Sequence, residues 1–194
     1  MERFLAEVNF AEWNLQQDKG RPFAEGVAIL SEKFPHYAPL IRAYHENWTD
    51  SIGAAYNGTI EILKKLKRAG YPLYGLSNWS AETFPFAREK YDFFDLFDDF
   101  VISGEVGHVK PDPAIFQIML GKIGKPAQEC LFIDDSLTNI DQHGAAGSSA
   151  LLVRSSSMRS LASSSSRSWL RSSSSTEMCG RFFASRISCA MSRE

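Results

Sequence analysis

Asp134 and Asp135 stand side by side at the end of an apolar run, Cys130-Leu131-Phe132-Ile133, with Ser136 next. Two adjacent carboxylates repel each other unless a cation, a proton or a basic group intervenes. Hard oxygen ligands in a loop suit Mg²⁺, which takes one or two carboxylates together with phosphate oxygens. A plainer reading makes Asp135 a helix cap and Asp134 a solvated strand end. Two other places offer matching chemistry. Ser77 and Asn78 follow Leu73-Tyr74-Gly75-Leu76, and Lys110 lies in the loop Gly107-His108-Val109-Lys110-Pro111-Asp112-Pro113. Ser and Asn offer neutral hydrogen bonds to an anion, and Lys offers a point charge. With the aspartates as a metal site, the three sets suit phosphoryl transfer, where positioning and charge neutralisation carry most of the catalysis.

The elements that must position these groups read as an α/β alternation. Cys130–Ile133 and Phe100–Ile102 are short apolar runs of the kind buried in a parallel sheet, and Leu73–Leu76 is a third. Ligands of open α/β sheets sit at the carboxyl ends of the strands, where Ser77, Asn78, Asp134 and Asp135 fall. Before Leu73, Ile60, Leu63 and Leu66 stripe one helix, for which Thr59 is a candidate cap and Gly70 a stop. Ala81–Lys90 predicts a helix that Pro85 should kink or shorten. Asp112 and Pro113 announce another, with Ile115, Phe116, Met119 and Ile123 on one face and Gly124-Lys125-Pro126 as its end. Residues 148–153 have the composition of one more strand. Residues 1 to about 50 show only helical periodicity, with aromatic faces that need a second layer to pack on.

Composition narrows the class. Net charge is −2 over 194 residues. From Arg154 onward, seven Arg and no Lys stand against Glu177 and Glu194, a surplus of five positive charges, so residues 1–153 carry −7. Residues 155–176 are mostly Ser and Arg without period, which predicts disorder. Residues 179–194 show scattered apolar positions and no clean pattern. Cys130, Cys179 and Cys189 have no metal or disulfide spacing, as in a reducing compartment. Nothing resembles a secretory signal, and no run approaches the ~18 apolar residues of a membrane span. The expectation is a cytoplasmic protein with no membrane partner. Aromatic stacking residues are nearly absent from the Arg-rich stretch, so nucleic acid is not expected as a partner. No feature of the sequence specifies an oligomeric state.

Leu76-Ser77-Asn78, Lys110-Pro111-Asp112-Pro113 and Phe132-Ile133-Asp134-Asp135-Ser136 with Asn139, in that order and each after a strand, resemble the haloacid dehalogenase (HAD) superfamily over about residues 1–147. The likeness is to its phosphatase-like members with an early helical cap. It implies a Rossmann-like parallel sheet under an α-helical cap: 1–56 cap, 57–153 core, 154–194 tail. It further implies that Ser77, Asn78 and Lys110 bind the transferred group, with Lys110 also steadying the nucleophile. Asp134 and Asp135 would hold Mg²⁺, and the substrate would be a small phosphorylated metabolite. Dehalogenating members act on halogenated substrates without metal and resemble a Ser-Asn pattern at the last motif, so paired acids favour the phosphatase. His108 reads as a loop residue and His45 as structural, while Trp79 fits either pocket lining or packing under the cap.

The chain departs from the pattern twice. The family's nucleophile is an Asp-x-Asp at the end of a first strand preceding the cap, and no two aspartates in this sequence are spaced that way. The expectation is a truncated, inactive form, or a non-catalytic binder of Mg²⁺ and phosphate. Its sheet should lack the strand between Leu73–Leu76 and Cys130–Ile133, exposing two rows of backbone groups at about 1–3 kcal/mol each if buried. The tail departs as well, and its loss of periodicity predicts a reading-frame shift near residues 141–150.

Overall fold

A computed structural model describes residues 2–145, 149–152 and 187–192. Four α-helices come first: α1 (Glu2–Glu7), α2 (Phe10–Asp18), α3 (Phe23–Lys33) and α4 (Ala38–Glu46). Their inward residues Phe4, Trp13, Phe23, Leu30 and Ile41 are buried and join Trp79, Phe84, Phe94 and Phe100 in one cluster. The aromatic faces of the helical layer are therefore covered by the α/β unit, and the two share a core. His45 stacks on Phe23 with ring centroids 5.1 Å apart and planes 7° from parallel, a packing role. Trp79 is fully buried, edge-on to Trp48 and Phe84, and its indole N–H donates to Thr83. Of its two readings, packing is the one realised.

The α/β unit follows as α5 (Asn57–Arg68), β1 (Leu73–Ser77), α6 (Phe84–Lys90), β2 (Asp99–Ile102), α7 (Ser103–Val106), α8 (Pro113–Ile123), β3 (Cys130–Asp134), α9 (Leu137–Ala145) and β4 (Ser149–Leu152). Asn57, not a position after Thr59, opens α5, and no side chain caps it. The helix expected from Ala81 begins only at Phe84, with Pro85 in its first turn, where a missing N–H costs nothing. Asp112 caps α8 as its position foretold, accepting from the Ala114 N–H at 2.9 Å. Leu76, Val101, Cys130 and Phe132 pack on Ile115, Phe116, Met119 and Ile123 of α8. Leu63 of α5 covers Leu73 with Leu131 and Ile133 beside it. Gly75 leaves room for the Phe100 ring, two of whose carbons would lie 2.4 Å from a Cβ there.

β1 pairs parallel with β2, and β3 pairs parallel with β4. The gap expected between β1 and β3 is closed. A fifth strand, β5 (Ile187–Ser192), lies there antiparallel to both, giving the order β2-β1-β5-β3-β4. Both the open slot and the patternless end of the tail are thereby corrected. Ile187, Cys189 and Met191 alternate with Ser188, Ala190 and Ser192, a period-two pattern that the Ser/Arg-rich context hides. Six residues suffice to satisfy two open backbone edges. The Ser/Arg-rich residues 155–176 lie outside the described residues, as do residues 146–148 of the stretch assigned to a frame shift.

Candidate active site

The three chemical sets meet at the carboxyl ends of β1 and β3. Each strand places its last residue by packing. Leu73 and Leu76 fix β1, so Ser77 ends it fully buried. Cys130 and Phe132 fix β3, so Asp134 ends it 4% exposed. The loop before α8 brings Lys110 to the same rim, also 4% exposed.

Asp134 is the hub. Its Oδ2 accepts from Lys110 Nζ at 3.1 Å and from Asn139 Nδ2 at 3.0 Å, and its Oδ1 accepts from the Ser136 N–H at 2.7 Å. An ion pair this deeply buried holds its geometry because either charge alone would be costly there. Burial pushes the Lys110 ammonium's pKa down, while Asp134 and then Asp135 pull it back up. Asp135 is only partly buried. Burial first, and the neighbouring Asp134 second, raise its carboxyl above the usual range.

Asn78 performs a second task that its sequence position does not reveal. Its Oδ1 accepts from the Lys110 N–H at 2.7 Å, and its Nδ2 donates to the Lys110 carbonyl at 3.0 Å. The side chain thus clamps the lysine's backbone to the end of β1. Ser77 Oγ, by contrast, is buried with no hydrogen-bond partner among the described residues. A buried hydroxyl without a partner costs about 1–3 kcal/mol, so it is a group that a ligand oxygen would satisfy. Ser77, Asn78, Lys110, Asp134 and Asp135 are all brought together.

His108 is not part of this constellation. It is half-exposed, and its Nδ1 lies 2.9 Å from Asp112 Oδ2 on the loop's outer side. Ser103, which follows the strand Asp99–Ile102, is fully buried. Its Oγ donates to the Asp18 carbonyl at 2.5 Å and accepts from the Trp79 N–H at 2.9 Å, tying α2 of the helical layer to the segment after β1. Gly104 sits where a Cβ would lie 2.4 Å from the Ala81 nitrogen and 2.8 Å from the Trp79 oxygen. The chain after β1 and the start of α7 therefore touch backbone to backbone, one step from the site.

The donor set fits a hard divalent cation. No group of three or more His, Cys, Asp or Glu clusters among the described residues. Two carboxylates, one of them held protonation-prone by burial and by the other's charge, are nevertheless what Mg²⁺ takes when phosphate oxygens complete its shell. A cation between Asp134 and Asp135 would relieve the repulsion that raises the Asp135 pKa.

The chain is similar in sequence to two phosphatases. A sesquiterpene phosphatase of Aspergillus oryzae is 35% identical over 86 residues, covering 44% of this chain and 44% of its own. A pyrophosphatase of Bacillus velezensis is 26% identical over 122 residues, covering 62% and 56%. The chain thus spans about half the length of these two relatives. Among solved structures, a HAD family enzyme of Bacteroides thetaiotaomicron in a magnesium complex superposes with a TM-score of 0.63 at 26% identity, over 77% of this chain and 78% of that one. The same enzyme with magnesium and inorganic phosphate gives a TM-score of 0.58 at 26% identity, over 71% and 72%. The family model of the haloacid dehalogenase-like hydrolases matches residues 3–147. With three strand-end motifs gathered at one rim of a matching sheet, the chain belongs to the haloacid dehalogenase-like hydrolases.

Proposed function

We propose that this rim is the phosphate- and Mg²⁺-binding part of a phosphatase-type centre that recognises a small phosphorylated metabolite. The observation that carries the reading is the Lys110–Asp134 pair together with the buried Ser77 hydroxyl, which has no partner among the described residues. Lys110 supplies a buried positive charge to the transferred group, and Ser77 Oγ donates to one of its oxygens. Asn78 holds the lysine's backbone so that this charge stays at the rim. Asp134 and Asp135 would hold the cation, which supplies charge neutralisation at the phosphoryl group. The magnesium and phosphate recorded with the Bacteroides enzyme support the assignment by analogy.

None of the described strands brings a carboxylate nucleophile to this rim beside Asp134 and Asp135. Both of those are committed to Lys110, Asn139 and the cation, so an aspartyl-phosphate route has no attacking group among them. The proposed behaviour is binding without turnover. Calorimetry of the full chain with inorganic phosphate should show binding that requires Mg²⁺ and is lost in Asp135→Asn. The fold and the Lys110 pair should survive that change. Phosphate binding indifferent to Mg²⁺, or aryl phosphate hydrolysis abolished by Asp134→Asn, would sink the proposal.

A further inference from the structure

The pairing of β1 with its neighbours stops at Ser77, so the sheet does not fix Asn78, the residue that clamps Lys110. The chain beyond is held from two other places. The Trp79 N–H donates to Ser103 Oγ at 2.9 Å, and the Trp79 carbonyl accepts from the Gly104 N–H at 3.0 Å. Ser103 thus carries the tie between the two segments past the end of the ladder. A hydroxyl has one proton. That of Ser103 goes to the Asp18 carbonyl at the end of α2, 2.5 Å away, which leaves its oxygen to accept from Trp79. One buried hydroxyl therefore sets three segments against one another.

Glu82 makes the second tie. Pro22 precedes α3 and offers no capping side chain. The Phe23 N–H at the start of that helix donates instead to both carboxylate oxygens of Glu82, at 3.2 and 3.3 Å, across 59 residues of sequence. A carboxylate also suits the positive end of the helix dipole. Glu82 belongs to a braced turn. Its own N–H donates to Ser80 Oγ at 3.2 Å, and the Trp79 indole N–H donates to Thr83 Oγ1 at 3.1 Å. Ser80 and Thr83 are both buried, so a restraint at Glu82 reaches Trp79 and, next to it, Asn78.

We propose that Ser103 and Glu82 are positioning residues for Lys110. They hold the turn after β1 against α7 and the helical layer, and the turn holds Asn78 on the lysine's backbone. Neither side chain belongs to the set that faces the phosphate, so the segment from Asp18 to Phe23 in the helical layer tunes phosphate affinity from outside the site. The effect on affinity rests on the phosphate reading of the rim; the placement of Lys110 does not.

The test follows amide hydrogen exchange and phosphate binding in the full chain and in its Ser103→Ala, Glu82→Ala and Glu82→Gln variants. Ser103→Ala removes the acceptor of the Trp79 N–H. The Lys110 amide, which donates to Asn78, should then lose about tenfold more protection than the amide of Met119 in α8, whose change reads overall stability. Glu82→Ala should give an excess of roughly threefold, the scale of a lost helix cap. Glu82→Gln keeps an oxygen for the Phe23 N–H and should restore protection at Lys110. Calorimetric titration with inorganic phosphate in Mg²⁺ should show binding weakened by about fivefold in folded Ser103→Ala. Equal losses at Lys110 and Met119 in Ser103→Ala overturn the proposal, as does an unchanged Lys110 amide in Glu82→Ala or a Gln variant no better than Ala. If Ser103→Ala does not fold, the Glu82 variants decide alone. Native phosphate affinity in Ser103→Ala overturns the step from Lys110 to affinity. Absence of phosphate binding by the unsubstituted chain overturns the reading of the rim, while the exchange data still decide the positioning roles.

Discussion

Replacing Lys110 by Met tests whether the buried ion pair organises the rim. At 3.1 Å, two unit charges attract by about 5 kcal/mol at an effective dielectric near 20, most of which desolvation offsets. The larger consequence comes from breaking the pair, because Asp134 would remain as a buried carboxylate. Removing one partner of such a pair costs about 3–5 kcal/mol. Ser136 and Asn139 still donate to Asp134, which places the loss near the lower bound, about 3 kcal/mol. For a chain of this size that is a fall in Tm of roughly 6–12 °C. Urea denaturation at pH 7 measures it directly. Adding Asp134→Asn to Lys110→Met removes the stranded charge and should recover at least half of the loss. A single-variant loss below about 1 kcal/mol, or a double variant weaker than the single, would show that the pair is not the organising contact.

Three further outcomes follow from the same geometry. Gly104→Ala drives a methyl into the backbone of Trp79 and Ala81 and should cost about 1–3 kcal/mol in urea denaturation, whereas no loss would mean that the crossing after β1 yields. Ser103→Ala strips a partner from the Asp18 carbonyl and the Trp79 N–H; it should cost about 1–3 kcal/mol and speed proteolysis between α2 and α3, and unchanged cleavage would remove its linking role. Burial pushes the Asp98 carboxyl up, but hydrogen bonds from Lys67 and the Leu73 N–H outweigh it and hold the pKa low. Its contribution is therefore present at neutral pH and disappears as pH falls through the lowered value. Because the group is 42% exposed, the stability gap between the native chain and Asp98→Asn should be under about 1 kcal/mol at pH 7 and close below about pH 4. A gap that widens in acid would contradict this assignment.

Much of the site could be read from residue order. Ser77-Asn78, Lys110 and Asp134-Asp135 each follow a strand or a loop signal, and parallel strands deliver such termini to one rim. The partners of these groups could not be read, since they are separated by tens of residues. That Asn78 spends its amide on Lys110, that Ser77 has no partner among the described residues, and that Ser103 reaches back to Asp18 are consequences of packing between distant segments. His108 and Trp79 illustrate the same division: their chemistry allowed a site role, and only their surroundings assigned the outer loop to one and the core to the other.

Local chemistry by itself determined the capped α8, the proline-shortened α6, the helical first fifty residues and the run of short buried strands, because each depends on neighbours within a few positions. Tertiary structure alone decided the centre of the sheet. Six alternating residues at the far end of the chain are too few to announce a strand, and nothing local sets their direction. Two facing rows of unsatisfied backbone groups do, by accepting whichever extended segment the chain can bring to them. In this protein that segment is Ile187–Ser192, running against its neighbours.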